Sequence, residues 1–183
     1  MSDTTYLILT VIGDDRPGLV GELAAAISSH SGNWLESSMS HLAGKFAGIV
    51  KVAVPAAGAA ALKDALAGLS GLKVSAESSA IETPAKGRRL KLSLVGHDRI
   101  GIVREVSQVL ARHAVNVEEL ATRTSSAPMS AATLFHAEAE LLADAGLDVR
   151  ALTDELERIS NDLMVDITLD ETLRACGAVA ELD

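Results

Sequence analysis

Two short segments carry the residue types most capable of chemistry: Gly13-Asp14-Asp15-Arg16-Pro17-Gly18-Leu19-Val20 and Gly96-His97-Asp98-Arg99-Ile100-Gly101-Ile102-Val103. Each follows a β-rich run and precedes a helical one. In each, a glycine closes the strand, an acid follows two residues later, and a second glycine stands at the first helical turn. Such a strand-to-helix corner points free backbone N–H groups outward and can hold an anion, for example a carboxylate. The helix dipole contributes only about 0.3–1 kcal/mol, so any specificity must come from groups outside the corner. A purely structural reading competes: Asp15 and Asp98 can cap the helix, Pro17 can occupy its first turn, and the glycines can serve tight geometry. Arg16 and Arg99 can pair with a ligand carboxylate or remain solvated.

The two segments lie 83 residues apart, and the same offset aligns His30 with His113, Asn33 with Asn116 and Glu36 with Glu119. Three further matches in one register identify a duplication. Beyond them the offset grows by about seven, pairing Leu62, Leu66 and Leu69 with Leu152, Leu156 and Ile159, which a loop insertion around Glu138 to Val149 would explain. The polar, Pro- and Gly-containing stretch 83–89 reads as a linker between a first domain at 1–82 and a second at 90–170, with a tail at 171–183.

The elements that must position these corners follow from periodicity. Tyr6–Ile12 and Leu90–Val95 read as first strands. Leu19, Leu23, Ala26 and Ile27, and Ile102, Val106, Val109 and Leu110, give the following helices one apolar stripe each. Trp34–Leu42 and Phe46–Val54 flank a turn at Ala43-Gly44-Lys45. Val117–Thr124 and Met129–Ala139 are their counterparts across Ser125-Ser126-Ala127-Pro128. A second helix and a last strand complete each repeat, at Ala59–Leu69 and Leu72–Glu77, then at Val149–Asn161 and Leu163–Leu169. The order βαββαβ, twice, predicts an α+β protein of two ferredoxin-like domains, each a four-stranded antiparallel sheet with two helices on one face.

Composition limits the function. The chain has 183 residues, a formal charge of −9 and no cationic cluster beyond Lys86-Gly87-Arg88-Arg89, which disfavours direct nucleic-acid binding. One cysteine, Cys176, permits neither an intrachain disulfide nor a cysteine zinc site, and the histidines lack metal-ligand spacing. No signal peptide or membrane span is legible, so a cytoplasmic protein is expected. His30 and His113 fall at helix C-termini, where capping is the simpler role. Asn33 and Asn116 can either terminate a helix or contribute to a site. No nucleophile elbow, P-loop or paired-carboxylate arrangement recurs, so neither an enzyme nor a cofactor is expected.

The corner Gly13–Val20, followed by Asn33, resembles the ACT domain family, and the resemblance extends from about residue 5 to 170. Two ACT modules alone are similar to the glycine cleavage system transcriptional repressor family. That resemblance implies an amino-acid ligand, glycine or serine, bound between ACT domains, and regulation through a partner protein such as a transcription factor. The matching ligand positions are Asp14, Asp15, Pro17, Gly18, Leu19 and Asn33 in the first repeat and His97, Asp98, Ile100, Gly101, Ile102 and Asn116 in the second. The second corner departs at His97 and Ile100, losing an acid and a preset φ. Exposed sheet edges add the expectation of a homodimer. The alternative is a separated regulatory subunit of an amino-acid or one-carbon enzyme.

Overall fold

The computed structural model describes residues 3–79, 87–126, 132–163 and 165–171. The chain divides into two compact units, 1–84 and 85–183. Residues 83–86 of the expected linker, residues 129–131 of an expected strand and Cys176 in the tail lie outside the described residues.

The first unit runs β1 (Thr4–Asp14), α1 (Leu19–Ser29), β2 (Asn33–Leu42), β3 (Lys45–Pro55), α2 (Ala59–Ala67) and β4 (Leu72–Ser79). The second repeats it as β5 (Arg88–His97), α3 (Ile102–Arg112), β6 (Asn116–Ser126), β7 (Thr133–Ala143), α4 (Val149–Leu163) and β8 (Val165–Glu171). Each sheet is antiparallel, in the orders β2-β3-β1-β4 and β6-β7-β5-β8. β5 starts at Arg88, so Arg88 and Arg89 belong to the strand and not to the linker.

Alternation decides which face each strand buries. Leu7, Leu9 and Val11 of β1 lie opposite Val52, Val50 and Gly48 of β3, and this face meets Leu19, Leu23 and Ile27 of α1 and Leu62 and Leu66 of α2. Leu90, Leu92 and Leu94 with Leu141, Ala139 and Ala137 form the equivalent floor under Val106, Val109, Leu152 and Leu156. No polar or charged residue is buried among the described residues. Cohesion within each unit therefore rests on aliphatic burial, at roughly 25 cal/mol per Å² of apolar surface.

One expectation is corrected by the register. Gly13 faces Phe46 and Gly96 faces Phe135, so the repeat offset, 83 at the glycines, is already 89 at the phenylalanines. The extra residues therefore lie between β6 and β7, where Ser126 pairs with Thr133 while its counterpart turn joins Leu42 directly to Lys45 through two residues. Glu138–Ala143 is strand and not inserted loop. The strand expected at Met129–Ala139 is found at Thr133–Ala143. At Leu152 the offset from Leu62 is 90, leaving a single residue to be added between β7 and α4.

Candidate functional site at the strand-to-helix corners

Gly13, one residue before the end of β1, lies on the helix-facing side, where a Cβ would stand 2.3 Å from the Gly71 carbonyl oxygen and 2.8 Å from Leu72 Cδ2. Only glycine fits that approach. The chain then turns into α1 through Gly18, which occupies the N-cap position with φ 93° and ψ −9°. Gly101 does the same before α3 with φ 102° and ψ −8°. Neither helix has a side-chain cap, so the reading of Asp15 and Asp98 as capping residues does not hold. The N–H groups of the first turn are left for an external acceptor. Backbone bonds tether the first corner to the β2–β3 turn and the second to the start of β7: Asp15 N–H donates to the Gly44 carbonyl and Asp98 N–H to that of Thr133, each at 2.9 Å.

The arginines of both corners and the acids of the first already have partners. Arg16 donates twice to Glu22, at 2.6 and 2.7 Å, in a bidentate pair, and Arg99 donates to Glu105 at 2.9 Å. Both arginines thus fasten the corner to its own helix, which replaces the reading of them as ligand partners. Glu22 and Glu105 were not singled out from the sequence, although the 83-residue register aligns them with the same certainty as the arginines. The Arg16 hydrogen bond holds the Glu22 carboxyl below its ordinary range and raises the guanidinium further. Asp14 pairs with Lys45, whose hydrogen bond and charge lower the Asp14 carboxyl. Asp15 stands 3.5 Å from His41 Nε2. Both partners come from the β2–β3 hairpin, which explains how that hairpin completes the corner.

The remaining positions are distributed unevenly. Pro17 is exposed beside Gly18, whereas the Leu19 and Ile102 side chains are buried, leaving their backbone N–H as the group they can offer. His97 is exposed, and Ile100 is 99% exposed. Asn33 pairs with Ala53, itself opposite Tyr6, while Gly13 lies opposite Phe46 and His41. Asn33 is therefore at the other end of the sheet from its own corner, about 23 Å away at 3.3 Å per strand residue. Asn116 is displaced in the same way, opposite Leu142 and Arg89. Within one unit, corner and asparagine do not meet. Nor does either asparagine end a helix: His30 and His113 are the C-caps, and Ser31 (φ 58°) and Ala114 (φ 53°) take the left-handed conformation that follows. His113 also meets Glu155 of α4 at 2.8 Å, beside Arg112. Among the described residues no group of three or more metal-ligating side chains converges.

Residues 5–75 match the ACT domain. A crystal structure of an unknown protein from Galdieria sulphuraria is 32% identical over 93% of this chain and 100% of its own, with a TM-score of 0.82. The first unit of this chain belongs to the ACT domain family, and the second repeats its βαββαβ order. A candidate glycine cleavage system transcriptional repressor, 18% identical, superposes with a TM-score of 0.71 over 93% of this chain and 99% of its own. At that identity it supports the tandem ACT fold. No curated protein matches the chain. The two ACT units have the regulatory, amino-acid-sensing fold, and no helix among the described residues is long and apolar enough to cross a membrane.

Proposed function

We propose that this tandem-ACT chain is a non-catalytic cytoplasmic sensor of a small amino acid that reports by contact with a partner protein. The observation that carries this reading is the pair of helix N-termini, each opened by a left-handed glycine and lacking any side-chain cap. A ligand carboxylate fits there, against the N–H groups of Gly18 and Leu19 or of Gly101 and Ile102. Because Arg16 and Arg99 are engaged by glutamates, backbone dipoles and not a guanidinium receive the anion.

Asp14, Asp15 and Pro17 shape the first corner, and His97, Asp98 and Ile100 the second. Asn33 and Asn116, at the far ends of their sheets, do not reach the corner of their own unit, and a second copy laid antiparallel alongside would bring them to one, which makes a homodimer part of the proposal. A ligand held by both copies then favours the paired state, and the partner reads that shift. Glycine or serine suits the purpose, and a transcription factor is the partner class that the repressor resemblance suggests.

A thermal-shift panel of the standard amino acids tests this directly. At about 100 times the dissociation constant a ligand adds about 2.7 kcal/mol to the native state, a rise of at least about 5 °C. One selective positive, lost in Asp15→Ala and in Asn33→Ala, is the expected result. A panel in which nothing moves the midpoint by more than about 1 °C at millimolar ligand would overturn it.

A further inference from the structure

The duplication supplies a control for the outer faces of the two sheets, those turned away from the helices. On the first, Ile8 and Ile12 of β1 lie beside Lys51 and Ala47 of β3, with Thr10 beside Ile49 between them. Ile12 is 46% and Ile49 54% exposed, and half-buried Tyr6 and Ala53 extend the apolar area. At the places of Ile8, Ile12 and Ile49 the second sheet carries Lys91, Val95 and Glu138. An antiparallel sheet with one solvated face ordinarily places polar residues there, as the second sheet does. The same βαββαβ order thus forms with charges at these places, and the fold does not require the isoleucines. A contiguous apolar patch that folding does not need marks a contact surface.

We propose that the outer face of the first sheet pairs with the same face of a second copy of this chain, about a two-fold axis lying across the strands at Thr10 and Ile49. Charge sets the axis. Lys73 and Glu77 of β4 flank Ile12 and Ile8, and both are exposed and outside any ion pair among the described residues. Four residues apart on one strand, they are separated by about 13 Å and do not pair within a copy. The crosswise axis reverses the strands. Each copy's Glu77 then meets the other's Lys73, Ile8 covers Ile12, Ile49 meets its own counterpart, and Lys51 lies over the small Ala47. An axis along the strands would instead oppose Glu77 to Glu36 of β2 and Ile8 to Lys51. Aligned sheets pack about 10 Å apart, within reach of paired Lys and Glu side chains. Four strands about 4.8 Å apart and about eight residues long cover roughly 500 Å² a side, or about 1,000 Å² in total. That is the lower end for a specific interface, so the association is reversible and concentration-dependent. The contact joins sheet faces and not strand edges and needs no ligand, so it does not rest on the sensor reading.

The test is sedimentation velocity of the full chain, without added amino acid, from low micromolar to submillimolar concentration. A reversible doubling of mass is expected. Ile49→Glu, which sets two carboxylates against each other on the axis, should raise the dissociation constant of that step at least about tenfold. Val95→Glu, at the place of Ile12 on the second sheet, should leave it unchanged. Glu77→Lys and Lys73→Glu should each weaken the step several-fold at low salt, and the two together should restore it, as the crosswise axis predicts. This exchange keeps the proposal falsifiable if Ile49→Glu fails to fold, which Trp34 fluorescence reports. A chain still monomeric at submillimolar concentration overturns the proposal. So does an association that survives a folded Ile49→Glu, which would assign it to the strand edges, or a double exchange that restores nothing.

Discussion

Gly18 and Gly21 lie three residues apart, and the structure assigns opposite signs to their replacement by alanine. Gly18 has φ 93°, and a Cβ there would meet nothing closer than Glu22 Oε1 at 4.0 Å, so the penalty for Gly18→Ala is torsional and not steric. A left-handed conformation costs an L-residue roughly 1–2 kcal/mol. For a unit of this size that lowers the midpoint by about 4–16 °C. Gly21 sits inside α1 with an ordinary φ and open space around its Cβ position, so Gly21→Ala should stabilise by about 0.4–1 kcal/mol through the unfolded chain. Trp34 is the only tryptophan and packs on the first unit's core, so its fluorescence during thermal or urea unfolding reports that unit alone. A Gly18→Ala midpoint equal to or above that of the parent would refute the assignment of the left-handed N-cap. Parallel shifts of the two variants would refute the torsional argument as a whole.

Gly13→Ala should be more damaging than Gly18→Ala, because its Cβ meets backbone at 2.3 Å and the α2–β4 turn must move; the same fluorescence assay ranks the two. Leu62→Ala and Leu152→Ala, both fully buried, should each lose about 2–5 kcal/mol, read as a fall in urea midpoint. The Arg112 and His113 hydrogen bonds lower the Glu155 carboxyl in the folded state, so its contribution is fully present above the unfolded value of 4.5 and disappears as pH falls through the folded one. Urea midpoints from pH 6 to 3 should therefore show a second-unit loss of stability that is absent in Glu155→Gln. If both proteins decline in parallel, the cluster is not coupled to folding.

The duplication, the order βαββαβ and the apolar stripes of α1 and α3 were legible in the sequence because each is a local pattern. A strand's period of two and a helix's of 3.6 fix which side chains share a face without reference to anything distant. The corners were visible for the same reason, as glycines and acids at a repeated spacing. Where the six extra residues fall was not, because the offset between repeats is observable only where a strand is paired, and Phe46 and Phe135 acquire that meaning opposite Gly13 and Gly96. Arg16 and Arg99 read equally well as ligand partners or solvated charges until the helix turned Glu22 and Glu105 toward them. The separation of Asn33 from its corner, and the joining of Ile8, Ile12 and Ile49 on one open face, are likewise products of cross-strand pairing. Such pairing joins residues far apart in sequence, and no local period encodes it.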